Sequence, residues 1–91
     1  MGLSSVFNEH ITIVNGEVQQ NNFNDYPIIR MHDMPETIET EILRTATPPA
    51  GLGESSTPLV ACAVANAFFA LTGKRLRHLP FTPKRVLEVL A

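Results

Sequence analysis

The chain has 91 residues, of which 44% are hydrophobic, and its formal net charge at pH 7 is −2. This length provides one small domain near the stability margin, and the mixed charges exclude the basic surface typical of a nucleic-acid-binding protein. One cysteine excludes an internal disulfide. No apolar run reaches the roughly 18 residues that span a bilayer, and no basic-then-apolar signal opens the chain, so we expect a cytoplasmic protein without membrane contact.

The first twenty residues predict a helix end followed by a β-hairpin. Residues 1–9 are weakly patterned and are interpreted as the tail of a helix that begins upstream of this sequence. Residues 10–14 and 17–20 have the composition of two short strands, joined by Asn15-Gly16. This dipeptide suits a type I′ turn, because both of its central positions need a positive φ.

Residues 21–35 are polar and rich in turn formers, with a few apolar side chains among them. We interpret them as an ordered loop that docks Phe23, Tyr26, Ile28 and Ile29 onto the core. For Tyr26 the favoured interpretation is a buried ring whose hydroxyl is hydrogen-bonded. The alternative is contact with a cofactor or with polypeptide upstream of this sequence.

Residues 36–44 alternate between two kinds of side chain, with isoleucine and threonine on one side and Glu39 and Glu41 on the other. This period of two predicts a strand with one solvated face. Both glutamates are interpreted as solvated surface residues.

Residues 45–58 read TATPPAGLGESSTP, and the rest of the chain leads into or out of this stretch. Adjacent prolines fix φ on the approach, and two glycines allow a positive φ or a close approach to the backbone. Thr57 is predicted to be a helix N-cap with Pro58 at the first helical position. Glu54 is then held on a short rigid turn at the mouth of a helix, where a catalytic group is often found.

Residues 58–72 predict a helix that is apolar on every side, which implies burial against a partner surface. Cys62 is interpreted as a core thiol. Gly73 is predicted to end this helix. Thr82 and Pro83 start a last helix, with Val86, Leu87 and Leu90 on one side. The basic residues near the end are interpreted as a solvated face, with contact to a subunit or a cofactor as the alternative: Lys74, Arg75, Arg77, Lys84 and Arg85.

The Gly-Leu-Gly-Glu turn, followed by Pro58 and an alanine-rich helix, resembles the C-terminal end of the molybdenum-hydroxylase large subunits. This is the xanthine dehydrogenase/aldehyde oxidase family, and the likeness is greatest to molybdopterin-binding subunits of the isoquinoline 1-oxidoreductase and aldehyde dehydrogenase type. Further matching motifs lie along most of the chain: Val14-Asn15-Gly16, Asn22-Phe23-Asn24-Asp25-Tyr26-Pro27, Ala63-Val64-Ala65-Asn66-Ala67, Leu71-Thr72-Gly73-Lys74-Arg75 and Leu79-Pro80.

The resemblance implies that residues 1–91 form a single C-terminal fragment of a molybdopterin-binding domain. Its expected class is α+β, with a small β-hairpin and one further strand packed with two C-terminal helices. The complete enzyme would hydroxylate an aldehyde or an N-heterocycle with oxygen derived from water. Glu54 would be the general base beside the molybdenum, and backbone N–H groups of Gly53, Ser55 and Ser56 would meet the pterin cofactor.

The family's molybdenum is held by the dithiolene of its cofactor, so the resemblance implies no protein metal ligand and no cofactor bound to this chain alone. The implied partners are an upstream molybdopterin-binding segment or subunit and an iron–sulfur subunit. An isolated chain is expected to be inactive and to form homo-oligomers. The location of the parent enzyme, cytoplasmic or periplasmic, is left open.

Three alternatives remain at this point. Glu54 can be a surface residue that is stabilised by the dipole at the start of a helix. The chain can be a non-catalytic interaction module, or a small anion-binding domain whose glycine turn matches neither a P-loop nor a dinucleotide fingerprint. The histidines at positions 10, 32 and 78 match no zinc spacing with Cys62.

Overall fold

A computed structural model describes all 91 residues. It contains three α-helices, one antiparallel two-stranded sheet and a short 3-10 turn, which confirms the α+β class. In chain order the elements are α1 (Gly2–Phe7), β1 (Ile13–Val14), β2 (Glu17–Val18), the 3-10 turn (Met31–Asp33), α2 (Thr57–Thr72) and α3 (Pro83–Leu90).

The β-hairpin forms where the sequence predicts it, although each strand has only two residues. Asn15 and Gly16 have φ values of 51° and 82°, as a type I′ turn requires. Ile13 pairs with Val18. The Gln19 N–H still donates to the Thr12 carbonyl at 2.9 Å, but the Thr12 N–H donates to the Gln20 side-chain Oε1 at 2.7 Å instead of to a backbone carbonyl. The ladder therefore stops short of the predicted strand ends.

The additional strand predicted over residues 36–44 does not form. Every residue from Arg30 to Ser56 is exposed, and no backbone group of residues 35–53 makes a hydrogen bond within the chain. The alternating pattern describes the side chains of a strand, but a strand also needs a neighbouring edge to pair with. The hairpin is too short to supply that edge.

The core lies between α1 and the segment that links α2 to α3. Val6, Leu76 and Phe81 are its buried apolar residues, and the Phe81 N–H donates to the Val6 carbonyl at 2.7 Å. One side of α2 and one side of α3 pack around these three residues. The helical conformation predicted for the first residues is therefore confirmed, and this helix supplies Val6, the most buried apolar side chain at 2% exposure.

The ends of α2 agree with prediction at one terminus and differ at the other. Gly73 ends the helix with a φ of 71°, and its N–H donates to the Phe69 carbonyl at 2.7 Å. At the start, Thr57 is already helical and Ser56 is the N-cap, without a side-chain cap hydrogen bond. The prediction that Thr57 caps the helix is wrong by one residue.

Helix α3 begins as predicted, with Thr82 as its N-cap and Pro83 in its first turn. The Thr82 hydroxyl accepts a hydrogen bond from the Arg85 N–H at 3.4 Å. The packing face differs from the predicted one, because Val86 and Val89 contact the core whereas Leu87 is 65% exposed. Spacing by three residues puts Val86 and Val89 on one face, and it turns Leu87 outwards.

The chain leaves much of its apolar surface uncovered. Five of its 91 residues are buried, and its radius of gyration is 16.3 Å, against about 12 Å for a compact domain of this length. It has 34 backbone–backbone hydrogen bonds, roughly half of the number usual for its size. The side of α2 that turns away from the core is part of this open surface. Cys62 lies exposed on it, so the predicted core thiol is wrong for this chain.

Candidate functional site

The sequence places its candidate catalytic residue, Glu54, on the turn that precedes α2, and the structure agrees with that position. The Glu54 carbonyl accepts a hydrogen bond of 3.2 Å from the Thr57 N–H, which closes the turn against the start of the helix. The Glu54 side chain is exposed and makes no ion pair. Its carboxylate is therefore free to accept a proton or a hydrogen bond from a molecule outside this chain.

The residues around Glu54 provide unused hydrogen-bond donors. The backbone N–H groups of Gly53, Ser55 and Ser56 take part in no hydrogen bond within the chain, and all three residues are exposed. Positive partial charge at the start of the 16-residue helix α2 lies beside them. The turn thus combines one carboxylate with several free donors.

The segment before Glu54 curves around an open concavity of about 1010 Å³. Its lining comes entirely from residues 40–52, including Ile42, Leu43 and Leu52, and Glu54 lies outside it. A general base needs a hydrogen-bond distance to the proton that it removes. Within this chain nothing encloses Glu54, so any enclosure must come from another polypeptide or segment.

A second group of polar side chains fastens the loop of residues 21–29 to α1. The Tyr26 hydroxyl donates to Glu9 Oε2 at 2.8 Å, and the Ile29 N–H donates to the buried Ser4 hydroxyl at 3.0 Å. Hydrogen bonds from Ser4 and from Tyr26 lower the pKa of Glu9, and the same Glu9 contact raises the pKa of Tyr26. The interpretation of Tyr26 as a ring with a bonded hydroxyl is confirmed, although the ring is only half-buried.

The turn before Tyr26 is ordered by Asp25. Its carboxylate accepts hydrogen bonds from the N–H groups of Asn22 at 2.9 Å and of Asn21 at 3.0 Å, and these bonds lower the pKa of Asp25. Phe23 lies at the tip and is 73% exposed. The prediction of an ordered loop is confirmed, but the prediction that Phe23 docks on the core is wrong.

Three of the basic residues near the end of the chain make contacts within the fold, so these residues are not a purely solvated face. The Arg75 guanidinium lies 3.6 Å from the centre of the Phe69 ring and donates to Asn66 Oδ1 at 2.9 Å. Arg85 donates to the carbonyls of the link before α3. The Lys74 ammonium donates to the Leu90 carbonyl at 2.9 Å, at the negative end of α3.

No group of three or more histidine, cysteine, aspartate or glutamate side chains is arranged to hold a metal ion. The structure does not bring the three histidines together with Cys62 into one site. None of the helices combines the length and the apolar character that crossing a membrane requires.

Known proteins match this chain along nearly its whole length. It is 44% identical over 89 residues to the membrane-bound aldehyde dehydrogenase (pyrroloquinoline-quinone) of Gluconacetobacter polyoxogenes, and the match covers 98% of this chain. It is 37% identical over 82 residues, or 90% of the chain, to the beta subunit of isoquinoline 1-oxidoreductase from Brevundimonas diminuta. It is 36% identical over 87 residues, or 96% of the chain, to a subunit of the nicotinate dehydrogenase of Pseudomonas putida.

The chain spans only a small part of these relatives, namely 11%, 10% and 7% of their respective lengths. No family model matches the sequence, and no solved structure matches it either. All three names describe oxidoreductases, and two of them describe one subunit of a larger enzyme. The names differ in the cofactor that they specify, because the first mentions pyrroloquinoline quinone and the other two mention none.

Proposed function

Because this chain carries motifs that resemble the molybdenum-hydroxylase large subunits and is similar over nearly its whole length to segments of three oxidoreductases, we propose that it supplies the general-base segment of a molybdenum hydroxylase. The proposal rests on identities of 36–44% to three oxidoreductases. The complete enzyme would hydroxylate an aldehyde or an N-heterocycle. The chain would be inactive alone, since it forms a tenth or so of proteins of this kind.

In the proposed reaction, a carbon–hydrogen bond of the substrate is replaced by a carbon–oxygen bond, and the oxygen comes from water. Two electrons and two protons leave in the process. A molybdenum cofactor, when bound, would accept the two electrons. Glu54 would take up a proton, and its carboxylate is suited to this role because no group of the chain occupies it.

The free N–H groups of Gly53, Ser55 and Ser56 support a cofactor contact at the same turn. They would donate to the polar edge of the pterin and so fix the cofactor relative to Glu54. The metal itself would be held by the cofactor, and this chain offers no metal-binding cluster of its own. The remaining contacts would come from an upstream molybdopterin-binding segment or subunit, and the electrons would pass to an iron–sulfur subunit.

Reconstitution with a truncated relative tests this proposal. The chain is co-expressed with the Brevundimonas diminuta isoquinoline 1-oxidoreductase whose beta subunit lacks the matching 82-residue segment. We expect a stable complex that contains molybdenum and oxidises isoquinoline. Assay of both molybdenum and pyrroloquinoline quinone in the complex decides between the cofactors that the relatives' names suggest.

Glu54→Gln in that complex should lower kcat by at least about 10²-fold, because it removes the base and keeps the size of the side chain. Glu88→Gln is the matched control, since Glu88 is an exposed carboxylate on α3, away from Glu54 in the sequence. The control should retain full activity. Unchanged turnover in Glu54→Gln, with the complex intact, would refute the catalytic role.

A non-catalytic interaction module is the second candidate, and the open side of α2 favours it. Leu59 is 66% exposed and Leu71 is 85% exposed on a helix with almost no polar residues. Such a surface would drive self-association of the isolated chain or docking on a partner. A complex that assembles but stays inactive with bound cofactor, together with a concentration-dependent dimer of the chain alone, would support this candidate.

A further inference from the structure

Residues 35–53 form a long stretch of backbone without any internal partner. None of their N–H or C=O groups makes a hydrogen bond within the chain, and all of the residues are exposed. Ordered backbone of this length normally satisfies its polar groups through secondary structure, side chains or bound water. The stretch therefore carries a row of unused donors and acceptors.

Within this stretch, residues 36–44 have the side-chain pattern of a strand. Ile38, Thr40 and Ile42 are β-branched and alternate with the acidic Glu39 and Glu41. Ile38 and Ile42 are 67% and 84% exposed, so the apolar side of this pattern is uncovered. Pro35 and the prolines at positions 48 and 49 bracket the segment, and proline limits how far a strand can pair.

The charges of the segment, three glutamates and one arginine, favour a basic partner strand over a second copy of the segment. In the antiparallel arrangement that centres on Thr40, Glu39 lies opposite Glu41, and only the outer Glu36–Arg44 pairs are attractive. In a parallel arrangement in register, each glutamate lies beside its own copy. Like charges directly opposite each other destabilise a pair of strands. A partner strand with lysine or arginine on the same face has the complementary charge.

From these observations we infer that residues 36–44 become a β-strand when they add to the edge of a sheet in another polypeptide, whose edge strand alternates basic with apolar side chains. Main-chain hydrogen bonds provide the attraction in this mode of binding, and the alternate side chains provide the specificity. Ile38 and Ile42 face the partner's apolar side. Glu39 and Glu41 face its cations. Backbone pairing of this segment requires no molybdenum enzyme, so the two proposals can fail separately.

The experiment uses the full 91-residue chain and a probe that presents one preformed sheet edge. The probe is a disulfide-cyclised β-hairpin peptide with valine and lysine alternating along its outer strand. Amide hydrogen exchange of the labelled chain is followed by NMR as the peptide is added. We expect exchange to slow at least tenfold at every second amide of residues 36–44, because only alternate N–H groups of an edge strand point towards the partner.

The matched peptide has glutamate in place of lysine and should give no protection. The double variant Glu39→Lys, Glu41→Lys should reverse this preference, and its circular dichroism should be unchanged because the segment packs on nothing. The inference is overturned if neither peptide slows exchange in residues 36–44, or if both peptides slow it equally. Protection that increases with the concentration of the chain alone would also overturn it, in favour of pairing between copies.

Discussion

Helix α1 approaches α2 closely at Gly2, and an added methyl group there should weaken the fold. A Cβ atom at position 2 would lie 2.7 Å from Val60 Cγ2, 3.2 Å from Val60 Cβ and 3.4 Å from Thr57 Cα. Carbon atoms that are not bonded to each other prefer separations of about 3.5–4.0 Å. Gly2→Ala therefore forces either the Val60 side chain or the whole of α1 to move.

Val60 cannot easily move aside, because a β-branched residue in a helix has one strongly preferred rotamer. Overpacking of this kind costs about 1–3 kcal/mol. Replacement of glycine by alanine in a helix returns up to about 1 kcal/mol, and less at the first helical position. We expect the free energy of unfolding to fall by about 1–2 kcal/mol in Gly2→Ala, taking the overpacking cost less the gain in propensity.

Urea unfolding followed by circular dichroism measures this change. With a slope of about 1 kcal/mol per molar urea for a small protein, the midpoint should fall by roughly 1–2 M. Gly51→Ala is the matched control, because no heavy atom lies within 4 Å of the added Cβ and the φ at this position is not positive. Its midpoint should stay the same or rise slightly.

Val60→Ala tests whether the clash with Val60 causes the loss of stability, since it removes the methyl group that a Cβ at position 2 would meet. In the Gly2→Ala background it should cost less than in the wild-type background, which gives a favourable coupling energy in a double-mutant cycle. If Gly2→Ala is as stable as the wild type, or if the two changes are simply additive, the close approach of α1 and α2 is not what constrains position 2.

Three further outcomes are expected. Glu9 has a lowered pKa in the folded chain, so its contribution to stability is present above its ordinary value of 4.5 and is lost as the pH falls through the folded value. Tyr26→Phe removes one of the hydrogen bonds responsible, and NMR titration should show the pKa of Glu9 rising towards 4.5; an unchanged pKa would contradict the contact. Gly73→Ala should lower the free energy of unfolding by about 1 kcal/mol, because alanine is strained at a φ of 71°, and an unchanged urea midpoint would argue against this cap. At concentrations where the chain is a monomer, Cys62 should react with a maleimide as fast in the folded chain as in urea, and it should become protected in the complex with the truncated relative. Slow labelling of the monomer would show that the outer side of α2 is covered.

The features that the sequence predicts correctly depend on few neighbouring residues. Asn15-Gly16 specifies its turn through the φ values that the two residues tolerate, and Gly73 and Thr82 specify helix ends in the same local way. The start of α2 is less well defined. Ser56 and Thr57 are both good N-cap residues, and neither side chain makes a cap bond that would distinguish them.

The core could not be found from local patterns, because its three buried apolar residues come from distant parts of the chain. Val6 lies in a six-residue helix with weak periodicity, whereas Leu76 and Phe81 lie in a link without regular structure. For Glu54, in contrast, local sequence is sufficient to predict the position but not the role. Its position on a turn before α2 follows from local sequence, but its role depends on contacts that this chain does not contain.

The hydrogen bond between Phe81 and Val6 joins the two parts of the polypeptide that flank the exposed stretch of residues 30–56. Folding therefore closes a long loop, and residues 30–56 within that loop contribute nothing to the packing of the core. Substitutions in residues 30–56 should therefore have little effect on the stability of the fold. The sequence of this loop can be selected for the molecule that it binds. A protease cut anywhere between residues 35 and 53 should accordingly leave two pieces that remain associated.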